Sequence, residues 1–371
     1  MQNDDGNLEI AALWTDGSKD RAKKKGEGDK KMQRASKLYA LALSLITVAL
    51  VVWIPRSHVK ADGEDHNPTF TTIEPPDGDG TITFLFDIND RGEIVGAYNS
   101  TPSGHRYGFL RSNDGEFTRI NFPESFRTHA DGINPGGDIV GWYARVPGEF
   151  HGYLRKKNGE FIQIDFPGAK ATKAIGIDPR GDIVGIYCLD ISRQCAKGNK
   201  NDHGFLLSEG EFTTIDFPGA LETEAYKINP RGQILGSYVD PEGRSHLFLL
   251  SEREFTTSNI PGAFETVSLP PIPPQLWFTT IDFPGAVETA IDGANAGLNA
   301  RGDIVGDYCA VPPLPCKPQN VHGLLLSEGE FTTIDVPGAL GTSAYGINAR
   351  GDIVGFFNVD ANHIVGFLQR R

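Results

Sequence analysis

Five histidines recur at equivalent positions of a repeated pattern, each in a His-Gly-Phe-Leu setting or a variant of it. They are His151, His203, His246, His322 and His363. Imidazole titrates near neutral pH and binds metals, so a ring of such side chains suggests metal or acid–base chemistry. Equivalent positions in different repeats of a closed array lie far apart, however. We therefore predict that each histidine makes a structural hydrogen bond within its own repeat.

His129 and Asp131 stand two residues apart and form a candidate acid–base couple. A general base needs its partner within hydrogen-bond reach, and here only closeness in sequence supports the pairing. Isolated pairs of this kind are usually incidental, and the sequence adds no nucleophile–base pattern, phosphate loop or metal-ligand spacing. We therefore assign no catalytic residue, no metal ligand and no cofactor from the sequence.

The stretch Asp87–Glu93, "DINDRGE", is rich in oxygen ligands and loosely resembles a calcium-binding loop. It lacks the regular alternation of acids and the distal bidentate glutamate of such loops. The equivalent stretches of the other repeats offer one carboxylate and an asparagine. Calcium at this loop is the cofactor alternative that the sequence leaves open.

Arg-Gly-Asp, a tripeptide known as an adhesion signal, occurs at 180–182, 301–303 and 350–352. Its equivalents in other repeats read Arg-Gly-Glu, Gly-Gly-Asp and Arg-Gly-Gln, so the shared element is the glycine. Glycine accepts positive φ, and a preceding Asn or Asp is typical of tight turns. We therefore predict a turn between the first and second strands rather than an adhesion site. The predicted turn glycines are Gly92, Gly137, Gly181, Gly232, Gly302 and Gly351.

The cysteines form two Cys-x6-Cys loops, each after an Ile-Val-Gly-x-Tyr tract in an equivalent place of its repeat. We predict a disulfide within each loop, Cys188–Cys195 and Cys309–Cys316. A zinc site is the alternative, but structural zinc usually takes cysteines at the shorter Cys-x2–4-Cys spacing. Disulfides also agree with an oxidising location outside the cytoplasm.

Short strands must position all these residues. Four extended tracts alternate with turn sequences in each repeat: "A-x-G-I-N", "D-I-V-G-x-Y", "H-G-F-L" and "E-F-T-T-I-D". The turn glycines recur every 44 to 51 residues, with one interval of 70, which is typical of a blade or solenoid array. Four antiparallel strands per repeat form a propeller blade. We predict an all-β fold, a six-bladed β-propeller of four-stranded blades.

The ends of the predicted propeller favour ring closure. The chain stops after a third strand, at "VGFLQRR", whereas the domain begins with an orphan fourth strand, Phe70–Ile73. Pairing of this N-terminal outer strand with the last blade would remove free sheet edges. The 70-residue interval contains a duplicated "FTT" tract, from Phe255 and from Phe278, with a Pro-rich insertion at about 264–277. The sequence leaves open whether this region is a decayed blade or an inserted loop.

The combined pattern "G-I-N-x-x-G-x-I-V-G-x-Y" followed by His-small-Phe-Leu resembles the exported bacterial HAF repeat family. The resemblance covers about residues 70–370, with glycine where the family has alanine. It implies an extracellular, β-propeller-like repeat protein and carries no catalytic residue over to this chain. The matching copies and those that depart further are His203-Gly204-Phe205, His151-Gly152-Tyr153, His246-Leu247-Phe248 and His322-Gly323-Leu324.

The N-terminal region has the pattern of a membrane anchor. A basic tail at 1–37, predicted to be disordered, precedes an apolar run at 38–54 that is just long enough to span a bilayer. Positive charge before the run keeps the N-terminus inside and sends the linker at 55–68 and the propeller at 69–371 across the membrane. A signal peptide cleaved after Ala61 is the alternative, and a buried core helix is the third. Both leading alternatives place the propeller outside the cytoplasm.

The body of the chain is acidic. Residues 1–61 carry a net charge of +4 and the remaining residues a net charge of −17. Negative charge repels nucleic acid and anionic lipid, so we expect no nucleic-acid partner. We expect a monomer that meets the membrane through its N-terminal transmembrane helix and binds an extracellular protein or glycan. The predicted function is a non-enzymatic binding or scaffold module, and the alternative is an exported propeller enzyme, a lyase or hydrolase on glycans.

Overall fold

The computed structural model describes residues 69–371 except residue 79 and the segments 101–103, 190–201, 253–265, 269–275, 291–295 and 313–315. Contacts divide the chain into Met1–Asp65 and His66–Arg371, and all described residues belong to the second unit. The predicted tail, anchor and linker at 1–37, 38–54 and 55–68 lie outside the described residues. Within the part of the chain that the structure describes, no helix is long and apolar enough to cross a membrane.

The described strands fall into repeat units, each with a first, second, third and outer strand. Repeat unit 1 contains β2 (Thr83–Ile88), β3 (Ile94–Ser100), β4 (His105–Arg111) and β5 (Phe117–Ile120). Repeat unit 2 contains β6 (Arg127–Ile133), β7 (Ile139–Ala144), β8 (His151–Arg155) and β9 (Phe161–Ile164). Repeat unit 3 contains β10 (Ala171–Ile177), β11 (Ile183–Cys188), β12 (Asp202–Ser208) and β13 (Glu211–Ile215).

The later repeat units follow the same plan with small additions. Repeat unit 4 contains β14 (Glu222–Ile228), β15 (Ile234–Val239), β16 (Ser245–Glu252) and β18 (Leu276–Ile281), with an extra strand β17 (Thr266–Ser268). Repeat unit 5 contains β19 (Glu288–Thr289), β20 (Gly297–Leu298), β21 (Ile304–Cys309), a 3₁₀-helix (Pro318–Asn320), β22 (Val321–Ser327) and β23 (Glu330–Ile334). Repeat unit 6 contains β24 (Gly341–Ile347), β25 (Ile353–Asn358), β26 (Ile364–Arg370) and the N-terminal β1 (Thr69–Ile73).

The fold is an all-β propeller, as predicted. The prediction of six separate blades is wrong, because the described strands do not form six separate sheets. Hydrogen bonding makes two four-stranded sheets, two five-stranded sheets and one eight-stranded sheet. A single parallel pair, Arg106↔Arg127, joins repeat units 1 and 2 into the eight-stranded sheet. The pair forms where β4 passes the start of β6, and there the backbone N–H of Arg106 donates to the carbonyl of Phe126 at 3.2 Å.

Each predicted turn glycine lies between the first and second strands of its unit. Their φ angles range from +75° to +96°, a region that glycine adopts without a Cβ penalty. In repeat unit 6, Asn348 Oδ1 accepts the backbone N–H groups of Arg350 and Asp352, each at 3.0 Å. The Asn-x-x-Gly turn is therefore built by local chemistry.

The N-terminal strand closes the ring, as the sequence predicts. Strand β1 pairs antiparallel with β26, from Thr69↔Arg370 to Ile73↔Gly366. The ring of Phe70 meets that of Phe367 edge-on, with centroids 5.6 Å apart. The pairing covers a sheet edge that would otherwise be open to other chains.

Aromatic stacking joins successive repeat units. The phenylalanine of a Phe-Pro-Gly exit stacks on the tyrosine of the next second strand, as Phe166 does on Tyr187 with centroids 3.6 Å apart. Thr172 at the next first strand holds this exit, because its Oγ1 accepts the backbone N–H of Phe166 at 3.0 Å. Burying one such ring contributes roughly 1.5–3 kcal/mol. The same contacts recur at Phe122, Phe217 and Phe283.

The duplicated region adds one short strand to repeat unit 4. Its outer strand is β18, which contains the second "FTT" tract and pairs with β16 from Leu247↔Ile281 to Glu252↔Leu276. Strand β17 pairs with the other edge of β18. The first tract, from Phe255, lies outside the described residues.

One predicted disulfide is confirmed. Cys309 and Cys316 are bonded, with their Cα atoms 6.0 Å apart, which excludes a zinc site in this loop. Cys188 is also disulfide-bonded. Cys195, its predicted partner, lies outside the described residues.

Candidate functional site

A cavity of about 450 Å³ is surrounded by the first strands of successive repeat units. We call it the axial cavity. Alternate side chains of a strand share one face, and the first strands of repeat units 1, 2, 3, 4 and 6 each contribute a pair of residues two positions apart. These pairs are Phe84 and Phe86, His129 and Asp131, Lys173 and Ile175, Glu222 and Glu224, and Ser343 and Tyr345.

Aromatic rings cover one part of the axial cavity. His129 stacks on Phe86 with centroids 5.4 Å apart and on Trp142 at 4.0 Å. Phe86 in turn stacks on Tyr345 at 6.1 Å. The rings together offer apolar faces to a ligand. We call this set the aromatic wall, and its members are Phe84, Phe86, His129, Trp142, Tyr345 and Phe356.

Two cations lie against the aromatic wall. Lys173 Nζ is 5.6 Å from the ring centroid of Trp142 and 5.0 Å from that of Phe150. The guanidinium of Arg106 lies 5.5 Å from the centroid of Phe84. Ring faces attract positive charge, so these contacts hold both cations at the side of the cavity.

Three carboxyl groups converge beside the aromatic wall, and we call Asp202, Glu222 and Glu224 the acidic triad. Glu222 and Glu224 alternate on β14, and Asp202 begins β12 of the preceding repeat unit. One oxygen of each residue lies within 4.8 Å of the others, and all three residues are buried. Burial, with repulsion from the other two carboxylates, raises the pKa of Glu222 to about 8. Burial also raises the pKa of Asp202 to about 6.

His129 and Asp131 both project into the axial cavity, but they do not form a hydrogen-bonded couple. His129 Nδ1 lies 3.8 Å from Asp131 Oδ1, beyond hydrogen-bond distance. Burial, helped by the charges of Arg106, Arg127 and Lys173, lowers the pKa of His129 well below its usual value. Burial raises the pKa of Asp131 to about 8. Within the described residues, His129 Nε2 and Asp131 Oδ2 have no hydrogen-bond partner.

An ion pair between two first strands lies between the axial cavity and a smaller one. Lys227 Nζ is 3.1 Å from Asp87 Oδ2 and donates to the carbonyl of Asp131 at 3.0 Å. Asp131 lines the axial cavity, whereas Asp87 and Lys227 line a cavity of about 80 Å³ formed by the turns. Both residues stand where the other four repeat units have the glycine of Gly-Ile-Asn, Gly-Leu-Asn or Gly-Ile-Asp.

The turns are connected by a chain of hydrogen bonds that we call the turn ring. In most copies the asparagine amide donates to the backbone carbonyl at the equivalent position of the next unit. Asp178 carries a carboxylate, which cannot donate, so the ring lacks the link from unit 3 to unit 4. The observed links are Asn89 to Asn134 at 3.2 Å, Asn134 to Asp178 at 3.4 Å, Asn229 to Asn299 at 3.4 Å, Asn299 to Asn348 at 3.1 Å and Asn348 to Asn89 at 3.4 Å.

The charged residues of the Arg-Gly-Asp copies pair within their own turns. The arginine–aspartate distances are 2.9 Å at 180–182, 2.7 Å at 301–303 and 2.8 Å at 350–352. Asp303 and Asp352 are buried, and each also accepts the side-chain amide of its turn asparagine. The charges therefore take part in turn structure.

The residues that line the axial cavity do not include the recurring histidines. Each histidine instead contacts an acid of its own repeat unit. Four of them also stack on the tyrosine of the second strand, with centroids 4.9 to 5.4 Å apart. The Nδ1–carboxylate distances are 3.1 Å for His151–Asp165, 2.8 Å for His203–Asp216, 3.0 Å for His246–Asp282 and 3.0 Å for His322–Asp335, and His363 Nε2 lies 3.9 Å from Glu74.

The oxygens of the stretch Asp87–Glu93 are engaged in its turn. Asn89 Oδ1 accepts the backbone N–H groups of Arg91 and Glu93, at 3.0 and 3.1 Å. The Glu93 carboxylate accepts from Arg91 Nε at 3.0 Å and from the Asn89 amide at 2.6 Å. Calcium at this stretch stays a prediction, and among the described residues the acids that converge within reach of one ion are those of the acidic triad.

Sequence reasoning missed the acidic triad and the ion pair of Asp87 with Lys227. The sequence does mark these positions as unusual. The residue pairs that face the axial cavity differ between copies of the repeat, whereas the flanking Ile-Asn and Ile-Val-Gly tracts persist. Aligning the copies column by column would have marked these positions. That alignment would still not have shown which variable residues meet.

No family model matches the chain, and no curated protein matches it. Solved structures with low similarity include TolB from Acinetobacter baumannii, at 14% identity and a TM-score of 0.43, covering 80% of this chain and 65% of that chain. The chain thus spans just under two thirds of TolB. A mutant of the Aleuria aurantia lectin in complex with Fucalpha1-6GlcNAc matches at 11% identity and a TM-score of 0.44, covering 78% and 93% of the two chains.

The β-propeller domain of the Trilobed protease from Pyrococcus furiosus matches at 11% identity and a TM-score of 0.43, covering 77% of this chain and 81% of that domain. These proteins have different functions. Likeness at this level concerns the fold and assigns no function.

Proposed function

We propose that this chain is a binding module displayed outside the cytoplasm, with a small ligand in the axial cavity. The observation that carries the proposal is an aromatic wall and buried carboxyl groups within one cavity of about 450 Å³. Cavities of roughly 300–1,000 Å³ that combine apolar walls with a few polar groups are typical ligand sites.

The ligand class that fits is a neutral sugar or an amino sugar. Carboxylate oxygens accept hydrogen bonds, so the ligand must offer hydroxyl or ammonium donors. Ring faces carry partial negative charge and suit the C–H face of a sugar ring. An acidic sugar fits poorly where these carboxyl groups are ionised, because it would bring a further negative charge beside Asp131, Glu222 and Glu224.

Isothermal titration of the full-length chain with neutral, amino and acidic mono- and disaccharides tests the proposal. We expect neutral or amino sugars to bind and acidic sugars not to bind. Trp142→Ala removes a ring face on which the sugar can stack. Such a contact contributes about 0.5–1.5 kcal/mol of binding free energy, so we expect the variant to bind about 2- to 10-fold more weakly. Trp277→Phe, on outer strand β18, is the matched control and leaves the affinity unchanged. Absence of binding by every sugar, or equal losses in both variants, would refute a sugar site.

A second candidate is hydrolysis of a glycan in the same cavity. It is favoured by Asp131 and Glu222, because burial raises the pKa of both carboxyl groups to about 8. A carboxylic acid that keeps its proton at neutral pH can protonate a glycosidic leaving group. Incubation with disaccharides and aryl glycosides separates the two candidates, because an enzyme releases products and a binding module returns the ligand intact. Under hydrolysis, Glu222→Gln stops product release and the exposed control Glu242→Gln does not.

The repeat architecture supports a closed ring of repeat units as a further part of the proposal. The turn ring has five links between neighbouring repeat units, including the return from Asn348 to Asn89. The same repeats carry the resemblance to the HAF family, which we retain as a proposal. Display outside the cytoplasm rests on the apolar run at 38–54 and on the Cys309–Cys316 disulfide. Protease digestion of intact cells tests it, because an exported propeller is degraded and a cytoplasmic one is protected.

A further inference from the structure

The acidic triad gathers three carboxyl groups on a rigid part of the propeller. Glu222 and Glu224 lie two positions apart on β14, so both side chains project from one face of that strand. Asp202 is the first residue of β12, where it pairs with Cys188 of β11. One oxygen from each of the three residues lies within 4.8 Å of the others.

Burial makes this convergence costly without a cation. Asp202 is 4% exposed, Glu222 7% and Glu224 8%. The nearby Lys173 attracts Asp202 and Glu222, but burial and mutual repulsion outweigh it, so the pKa of each stays above its usual value. Buried charges of one sign are normally compensated by a counter-charge or a metal.

A second observation, separate from the clustering, points to a missing positive partner. Within the described residues, Asp202 Oδ1 has no hydrogen-bond partner although its residue is nine-tenths buried. Glu224 is oriented by the hydroxyl of Tyr226, which donates to Oε2 and is itself 2.6 Å from Ser237 Oγ. A native protein rarely buries an unpaired carboxylate oxygen unless something binds there.

We propose that Asp202, Glu222 and Glu224 form a binding site for a divalent cation, and that the cation is calcium. The donor set contains oxygen and neither sulfur nor imidazole, which selects hard cations such as calcium and magnesium. Calcium–oxygen distances of about 2.3–2.6 Å allow ligand oxygens on one ion to be about 5 Å apart, which accommodates the 4.8 Å limit. Magnesium, at about 2.0–2.1 Å, requires a tighter set.

The inference goes beyond sugar binding, although Glu222 and Glu224 also line the axial cavity. The aromatic wall contributes no ligand atom to the triad, and the triad can bind calcium with no sugar present. Calcium here would neutralise three carboxylates that connect β12 of one repeat unit with β14 of the next. It would therefore stabilise the boundary between units 3 and 4, where the turn ring lacks a link.

Calorimetric titration of the chelator-treated full-length chain with Ca²⁺, and separately with Mg²⁺, tests the site in the absence of sugar. We expect one Ca²⁺ per chain and weaker Mg²⁺ binding. Glu222→Gln and Asp202→Asn each weaken Ca²⁺ binding by at least about tenfold, because changes even to residues that only support metal ligands cost about 10- to 100-fold in affinity. Glu242→Gln is the matched control, since it is the same substitution at an exposed acid outside the triad and the axial cavity, and it leaves the affinity unchanged.

Terbium, which substitutes for calcium, supplies a second readout. Tyr226 contacts Glu224, so Tb³⁺ in the site should luminesce when tyrosine is excited, and Ca²⁺ should displace it. Thermal unfolding of each variant shows whether it is folded. No heat with Ca²⁺, equal loss in Glu242→Gln, or unchanged affinity in both folded triad variants would overturn the site. Tighter binding of Mg²⁺ than of Ca²⁺ would overturn the choice of calcium. Failure of the sugar titration alone would leave this result standing.

Discussion

Replacing Lys227 by methionine removes the cation of the ion pair between the two cavities and keeps most of the apolar stem. The side chains are 6% exposed for Lys227 and 15% for Asp87, so solvent cannot replace the lost charge. The Asp87 carboxylate still accepts hydrogen bonds from the backbone N–H groups of Ile88, at 3.0 Å, and Ile133, at 3.1 Å. Breaking a buried ion pair costs about 3–5 kcal/mol of folding free energy. Because the Asp87 carboxylate keeps these two hydrogen bonds, we expect Lys227→Met to cost about 3 kcal/mol, the lower end of that range.

This loss of stability converts to a measurable shift in melting temperature. Unfolding entropy is about 2.1 cal/mol/K per residue, and the unit His66–Arg371 has roughly 300 residues. A loss of about 3 kcal/mol therefore lowers the melting temperature by about 5 °C. Scanning calorimetry measures the shift, and urea unfolding measures the free energy.

Two further variants decide whether the ion pair is the cause. Lys156 Nζ is 3.1 Å from Asp138 Oδ2, the same distance as in the buried pair, but the Lys156 side chain is 41% exposed. Lys156→Met should therefore cost less than about 1 kcal/mol. Asp87→Asn combined with Lys227→Met removes both charges and should recover most of the loss. Equal costs for the two lysine variants, or simple additivity in the double variant, would refute the reasoning.

Two other perturbations have a defined direction. Asp178→Asn supplies the missing amide donor toward Asn229 but gives up the 2.8 Å contact of Arg180 Nε with Asp178 Oδ2, while Arg180 keeps Asp182 as a partner. We expect a net gain below about 1 kcal/mol in urea unfolding, the contribution of one hydrogen bond. Burial by itself lowers the pKa of His246, but the carboxylates of Asp282 and Asp240 outweigh it and raise the pKa above 6.5. The stabilisation by protonated His246 is therefore complete below pH 6.5 and is lost as pH rises through the folded-state pKa. Urea unfolding at several pH values should show this loss in the natural chain and not in His246→Gln.

Each of these predictions has its own control. Asn134→Asp breaks an existing link of the turn ring and should destabilise, so a stabilising effect there would contradict the ring. The second acid beside His246 is Asp240, whose Oδ2 lies 3.2 Å from His246 Nε2. Asp240→Asn should therefore reduce the pH dependence that His246 gives the natural chain. An unchanged pH dependence in Asp240→Asn would contradict the role of the second acid.

Much of the fold was predictable from particular residues. Gly351 and its equivalents mark turns at positive φ, and the orphan strand Phe70–Ile73 pairs with the last third strand. Six separate sheets were not found, because the Arg106↔Arg127 pair is a contact between repeat units that no local pattern encodes. The predicted membrane segment at 38–54 lies outside the described residues.

The candidate site was much less predictable. His129 and Asp131 were singled out for closeness in sequence, yet the structure places them in the axial cavity without a hydrogen bond between them. Asp87 and Lys227 are far apart in sequence and meet through the closure of the ring. Their departure from the glycine of the repeat was visible, but their partnership was not.

The sequence by itself determined the repeat, the turns and the closing strand. These features depend on φ preferences, side chain–backbone hydrogen bonds and alternation of apolar residues, which act over a few neighbouring positions. The tertiary structure alone decided that Asp202 meets Glu222 and Glu224, and that aromatic side chains from several repeat units line one cavity. Those contacts depend on how the repeat units pack around an axis, which is set by the sum of many contacts distant in sequence.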